Sequence, residues 1–210
     1  PNILEIIPKL AYQYEEPYAD SSAIPSWYLA EVTRKYVTVA LNGDGGDENF
    51  AGYLRYNFYN LVHKHPILAL LFGPLIAKTA LKPKWRREKA LKLLKKLAHG
   101  KIYEKYFPLI AYFDDYPNQA LNLLEKKFEE ALADDEVDKL LWVDINSYLP
   151  DDLLVKMDIA TMAHSLETRS PFLDHEFMEL TAQIPSSLKI KGLTAKHIFK
   201  KALAKILPEE

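Results

Sequence analysis

The sequence predicts an α/β fold that is predominantly α-helical within these 210 residues, with one buried parallel strand at residues 36–41. Three observations carry that expectation. Tyr36-Val37-Thr38-Val39-Ala40-Leu41 is a short apolar, β-branched run, which suits a strand covered on both faces. It breaks into Asn42-Gly43-Asp44-Gly45-Gly46-Asp47-Glu48, and open α/β sheets bind ligands where strands end in such polar loops. From about residue 54 onward the apolar spacing is nearly all helical. One parallel strand alone leaves its edges unpaired, so its neighbours are expected in sequence outside these residues.

Composition excludes several classes. With 49% apolar and 12% aromatic residues the chain can bury a sizeable core, which argues against disorder. A net charge of −2 gives no reason to expect a nucleic-acid partner. There is no cysteine, hence no disulfide framework, thiolate nucleophile or thiolate metal site, and a cytoplasmic location is expected. The longest apolar run, from Ile67 to Leu81, contains Gly73, Pro74 and Lys78 and is too short for a comfortable membrane span. No signal peptide is visible, and no membrane partner is expected. The chain opens on Pro1 and closes on Glu210 directly after a helical pattern, so it is expected to be an excised piece of something longer.

Taken in order, residues 2–13 place Ile3, Ile6, Ile7, Leu10 and Ala11 at helical spacing. Pro8 lies inside that pattern and is expected either to start the helix or to weaken it. A turn-rich segment, Pro17 to Pro25, precedes a short helix, Ser26 to Val32, that feeds the strand. Leu54 to Leu81 is mostly apolar and is expected to break at Pro66 and Pro74. Lys84 to Leu97 is rich in lysine and arginine and reads as a surface helix with a solvated basic face, phosphate or membrane binding being the alternative. Gln119–Ala133 and Glu136–Ser147 are amphipathic helices joined by an acidic connection. No repeat, low-complexity tract or interdomain linker interrupts the chain, so residues 1–210 read as one domain or part of one.

Three stretches can carry chemistry. In the first, Gly43, Gly45 and Gly46 allow positive φ and close approach of backbone to a ligand. Successive N–H groups in such a bend form an anion-binding concavity, reinforced if a helix starts there. Asp44, Asp47 and Glu48 repel a bare phosphate, so a cation must mediate, and magnesium suits few carboxylates bridged to phosphate oxygens. An EF-hand fails on spacing, and an ordinary turn built of Gly and Asp is the bland alternative. In the second, Tyr148 to Asp158, Pro150 with Asp151 and Asp152 makes a helix start, and Leu153, Leu154 and Met157 are expected to face the core. Lys156 and Asp158 are left unexplained. Further on, Glu167 and Arg169 form an expected buried structural pair, and Asp174 caps the next helix. In the third, Thr194 is expected to cap a helix whose first turn holds Lys196, where the helix dipole opposes a cation. A bound anion explains that position, and so does a merely exposed lysine.

At this point the residues reach a known family. Val39 to Tyr53 resembles the synthetase-domain motif of glutamine-dependent asparagine synthetases, S-G-D-G-G-D-E-L-F-G-G-Y. Tyr148 to Asp174 is similar to that family's Y-L-P-D-D-I-L-x-K-x-D-R-x-S-M-A-H-S-L-E-x-R-x-P-F-L-D, and Glu16 to Pro25 to its D-E-P-x-x-D-x-S-A-I-P. Lys196 matches the lysine of its K-x-x-L-R-x-A-L helix. These matches cover nearly the whole chain in the family's order.

The resemblance implies an adenine nucleotide α-hydrolase-like, ATP-pyrophosphatase-type α/β core with a helical remainder. It implies ATP and Mg2+ as cofactors, and aspartate or a similar carboxylate as the small-molecule substrate. The carboxylate is activated as an acyl-adenylate and ammonia from a separate glutaminase domain displaces AMP. Asp47 then takes the role of magnesium ligand. Asn42, Gly43, Gly45 and Gly46 shape the ATP and pyrophosphate loop. Asp44 stands where relatives keep an acid, or β-lactam-forming cousins a tyrosine, facing the reacting substrate. Lys196 is a fixed cation aimed at developing negative charge, and His197 has no role.

This chain departs from the pattern at Asn42 for serine, Asn49 for leucine, Ile159 for arginine, and Phe199 and Lys200 for leucine and arginine. The family's Ser-Gly-Gly-x-Asp-Ser signature and its amino-terminal glutaminase cysteine are absent from these residues. The 210 residues alone are therefore expected to be inactive. A related ligase acting on another carboxylate, or a non-catalytic helical interaction module, are the other readings.

Overall fold

In the computed structural model, residues 2–80, 94, 100–110 and 118–208 are described. The chain divides into two compact units, Pro1–Asn49 with Asp144–Gln183, and Phe50–Val143 with Ile184–Glu210. Most of it is helical.

The first unit opens with α1 (Ile3–Tyr14), whose start is fixed by Asn2, the side chain of which accepts from the Leu4 amide. Pro8 sits inside α1 without ending it. Of the residues at helical spacing, Ile6 and Leu10 are buried with Tyr14, whereas Ile3 and Ile7 are exposed. The helix stops at Glu15, which takes a left-handed φ of 58°. α2 (Ala23–Thr33) begins three residues before the expected Ser26. Ala23 and Trp27 join Ile6, Leu10 and Tyr14 in this unit's core, against which Val155, Ile159 and Ala163 pack.

β1 (Val39–Leu41) is half the predicted length. It also has a partner within this chain: β2 (Glu167–Arg169) lies parallel to it, with Val39 opposite Glu167 and Leu41 opposite Arg169. That corrects the expectation that every neighbour lies elsewhere. Glu-Thr-Arg escaped notice as a strand because three residues with two charges carry almost no periodicity. The strand is not buried either. Val39 is 42% and Leu41 73% exposed, because both project from the same face of a two-stranded ribbon. The Glu167–Arg169 pair does form, at 2.7 Å, but it is exposed, and such pairs contribute only about 0–1 kcal/mol.

After a π-helical turn (Leu149–Leu154) with Pro150 in its first positions, the chain runs into an α-helix (Val155–Met162), against which α2 packs. The residue best buried on that helix's amino-terminal half is Lys156; Leu153, Leu154 and Met157 are half-exposed. A short 3-10 turn (Pro171–Leu173) leads to a helix (His175–Ala182) capped by Asp174, whose carboxylate accepts from the Phe177 amide at 3.1 Å.

In the second unit, α4 (Leu54–Lys64) and α5 (Pro66–Ala80) are separated at His65, and α5 continues past Pro74. Two further helices follow at Ile102–Ile110 and Asn118–Glu130, then one at Glu136–Ile145. Tyr56, Tyr59, Tyr106 and Phe128 form the aromatic centre of this unit's core, and Leu140 is buried in the same cluster. A fully buried side chain of that size contributes about 1.5–3 kcal/mol. Most of the basic run expected at Lys84–Leu97 lies outside the described residues, apart from Leu94.

Candidate functional site: an acid-glycine bend at the end of the first strand

The bend starts as an extension of the sheet, the Asn42 amide donating to the Arg169 carbonyl at 2.9 Å. A turn closes from the Gly46 amide to the Gly43 carbonyl at 3.2 Å. α3 (Gly46–Phe50) then begins within the bend itself. It ends where Ala51 takes a positive φ of 54°. With five residues it has little dipole, so the expected reinforcement of anion binding by a helix start is small.

Only one of the three bend glycines needs its conformational freedom outright. Gly45 has φ +85°, and a Cβ there would lie 2.3 Å from Leu173 Cδ2. Gly46 packs on the Phe172 ring, while Gly43 is exposed with nothing near a would-be Cβ. The bend is thus pressed against the 171–173 turn, and the glycines set that fit.

Two departures from the family pattern prove to be parts of the same joint. Asn49 is buried; its Nδ2 donates to the Phe172 carbonyl at 2.7 Å and its Oδ1 accepts from Thr181 Oγ1 at 2.9 Å. Asn42 donates from Nδ2 to Asp44 Oδ2 at 2.8 Å, and its Oδ1 accepts from the Ser170 hydroxyl. Asp44 and Asp47 are half-buried, and Glu48 is buried. Burial pushes the Asp44 carboxyl above the ordinary carboxylate range, partly offset by the Lys156 ammonium.

Lys156, unexplained from sequence, is a buried cation of this unit. Its Nζ lies 2.7 Å from Asp20 Oδ2, and the two side chains are 10% and 11% exposed. Asp20 also accepts from the Ser22 amide at 2.8 Å. Burial acts to raise its carboxyl, but the Lys156 and Ser22 hydrogen bonds more than offset that and hold it below the ordinary range. Beside the pair, the Tyr14 hydroxyl donates to the Lys156 carbonyl at 3.1 Å. Burial, then the Asp20 and Asp152 charges, push Tyr14 up to about 12. Tyr18 stacks on Tyr14 at 4.4 Å and donates to Asp152, so the segment from Glu16 to Ser22 is bolted to the π-helical turn. A cavity of about 340 Å³, lined by Tyr14, Tyr18, Glu16 and Ser21 among others, lies along that segment. The D-x-S spacing of residues 20–22 was the available signal for Asp20; nothing in the sequence paired it with Lys156, 136 residues away.

Lys196 belongs to the second unit. It does not lie in the first turn of a helix capped by Thr194. Thr194 is tied back to Lys191 by two backbone hydrogen bonds of 3.1 and 3.0 Å, and the last helix is His197–Leu203. Lys196 occupies the position before it, half-buried, with a left-handed φ of 53°. The Asn57 side chain donates to the Leu193 carbonyl at 3.3 Å, and Phe199 stacks on Phe50 at 4.8 Å, which fix the turn before Lys196 and the helix after it.

Among the described residues no three His, Asp or Glu side chains gather into a group able to hold a metal by themselves. A magnesium ion at the bend would take Asp47 from the protein and complete its shell with waters and phosphate oxygens, the usual habit of that ion.

The whole chain, residues 1–210, matches the model of the asparagine synthase family, and the protein belongs to that family. It is 32% identical over 223 residues to asparagine synthetase [glutamine-hydrolyzing] 1 of Bacillus subtilis, an alignment covering 97% of this chain and 34% of that protein. A putative asparagine synthetase of Mycobacterium bovis is 28% identical, over 96% of this chain and 32% of its own length. A segment of 50 residues is 50% identical to a putative asparagine synthetase of Methanocaldococcus jannaschii, covering 24% of this chain and 10% of that protein. The chain thus spans about a third of the length of the first two relatives. No solved structure matches it.

Proposed function

We infer that this chain is part of an ATP-dependent, amide-forming ligase that makes asparagine from aspartate with nitrogen from glutamine. The observation that carries the reading is the family match over every residue, with the acid-glycine bend held in one conformation by Asn49, Ser170 and Leu173.

In this reading an oxygen of the aspartate side-chain carboxylate attacks the α-phosphorus of ATP, and the bond to pyrophosphate breaks. Ammonia, delivered by the glutaminase domain of the full-length protein, then attacks the acyl carbon and AMP leaves. Magnesium supplies charge neutralisation on the pyrophosphate, and Asp47 holds it. Gly43, Gly45 and Gly46 let the backbone come close to the phosphates. Asp44 faces the reacting carboxylate and amine. Its half-buried carboxyl, raised by that burial, is suited to taking a proton from ammonium as the amide forms. Lys196 is a fixed positive charge for the departing pyrophosphate. The 210 residues alone are inactive.

A second reading keeps the same chemistry with another carboxylate as acceptor. Asn42 favours it, because it stands where serine is usual and reaches Asp44 directly. Incubating the full-length gene product with ATP, Mg2+, glutamine and aspartate, and measuring asparagine and AMP, tests the main reading. Asparagine in step with AMP is the expected result; AMP release only with other carboxylates supports the second reading; no AMP with any carboxylate overturns both.

A further inference from the structure

Asn42 and Gly43 carry a chemistry of their own that the reaction above does not use. The chain holds eight asparagines, and Asn42 alone is followed by glycine. That order matters because the backbone nitrogen of the following residue can attack the carbonyl carbon of an asparagine side chain. Glycine offers no Cβ to obstruct the five-membered ring that results. The Gly43 nitrogen is available for this: the residue is exposed, and nothing lies within 4 Å of a would-be Cβ. Among the described residues its N–H donates no hydrogen bond.

Both ends of the Asn42 side-chain amide are held by groups that suit such an attack, and all of them belong to the first unit. The Ser170 hydroxyl donates to Oδ1, the atom on which negative charge develops as the nitrogen adds. A donor fixed there in advance stabilises that charge. Nδ2, the atom that must leave, donates to Asp44 Oδ2 at 2.8 Å. Asp44 is half-buried and burial raises its carboxyl above the ordinary range, so it is placed to pass a proton to the departing nitrogen.

We propose that Asn42 is a site of self-modification, at which the folded bend converts its own asparagine into aspartate and isoaspartate. The bond from the Gly43 nitrogen to Asn42 Cγ forms, the Cγ–Nδ2 bond breaks, and ammonia leaves with the proton given up by the Gly43 nitrogen. Water then opens the cyclic imide at either carbonyl, and no oxidant or other co-reactant is consumed. The product carries an acid where Nδ2 lay against Asp44, and two carboxyl groups that close do not readily ionise together. In isoaspartate the backbone also lengthens by a methylene, between the Asn42 hydrogen bond to Arg169 and the turn that opens at Gly43. The bend therefore loses its starting arrangement. Serine, the usual residue of the family there, is exempt because it has no amide to lose.

Incubating the full-length gene product at neutral pH, then mapping its peptides by mass spectrometry with a fragmentation that separates aspartate from isoaspartate, tests this. Residue 42 is expected to gain the mass of an amide-to-acid exchange. The gain is expected at least roughly tenfold faster in the folded protein than in the same chain unfolded in denaturant. Ser170→Ala is expected to remove that advantage, and Ser170→Thr, which keeps a hydroxyl, to retain it. Gly43→Ala, where a methyl group has open space, is expected to lose most of the mass gain with an unchanged circular dichroism spectrum. An accompanying fall in ATP–pyrophosphate exchange rests on the function proposed above, whereas the mass change at residue 42 does not, so the two fail separately. The proposal is overturned if residue 42 stays asparagine in the folded protein, or if it converts there no faster than in denaturant. Conversion of Ser170→Ala at the wild-type rate overturns it as well.

Discussion

Replacing Lys156 by methionine strands a carboxylate. The ammonium lies 2.7 Å from Asp20 at about one-tenth exposure, and without it Asp20 keeps only the Ser22 amide among these partners. Removing one member of a buried pair costs about 3–5 kcal/mol, mostly because the other charge stays desolvated. With a urea slope of about 1–3 kcal/mol per molar, Lys156→Met lowers the unfolding midpoint of the first unit by at least about 1 M. Trp27 reports on that unit, since it is buried in its core, and Trp85 and Trp142 are changed to Phe in every protein compared. The double variant Asp20→Asn with Lys156→Met has no stranded charge and is expected to be more stable than Lys156→Met alone. The pH dependence has a definite sign. Asp20 is held below its ordinary range, so it contributes stability above pH of about 3.9 that is lost as pH falls from there through its native value. The difference between wild type and Lys156→Met therefore shrinks on acidification. A midpoint shift under about 0.3 M, or a double variant no better than Lys156→Met, would refute the argument.

Gly45→Ala is expected to cost about 1–3 kcal/mol, measured by thermal unfolding, because the residue has φ +85° and a Cβ would strike Leu173, whereas Gly43→Ala is nearly neutral. Asn49→Leu, although it restores the residue common in the family, is expected to destabilise by about 1–3 kcal/mol, since Thr181 and the Phe172 carbonyl each lose a partner. Tyr59→Phe removes a 2.7 Å hydrogen bond to Glu136 and is expected to cost about 1.5–3 kcal/mol in urea unfolding of the second unit.

The long amphipathic helices and the position of the bend could be read from the sequence, because each rests on local periodicity or local turn chemistry. The partner strand Glu167–Arg169 could not, since three residues carry no period and its pairing with Val39–Leu41 joins segments about 128 residues apart. Burial of the first strand was overestimated for the same reason: apolar character says what a face can bury, not whether anything covers it. Gly45 was legible as a positive-φ position, but the Leu173 contact that makes it obligatory was not. Lys156 stood out as a cation among core residues, and its partner lay far away in sequence. Thr194 looked like a cap because it precedes an apolar helical run. Its hydrogen bonds with Lys191 take it instead, which moves Lys196 out of the helix. Asn42 and Asn49 depart from the family pattern, and both are hydrogen-bonded into the bend.

Isotope exchange between pyrophosphate and ATP by the full-length gene product, with aspartate and Mg2+ supplied, reports on the activation step alone. Changing Asp47 to Asn keeps the shape of the bend and removes the charge, so exchange is expected to fall by at least about a hundredfold at saturating ATP. Exchange at the unaltered rate in that variant would mean that the acids after the first strand do not hold the metal, and the assignment of this bend to the nucleotide would be wrong.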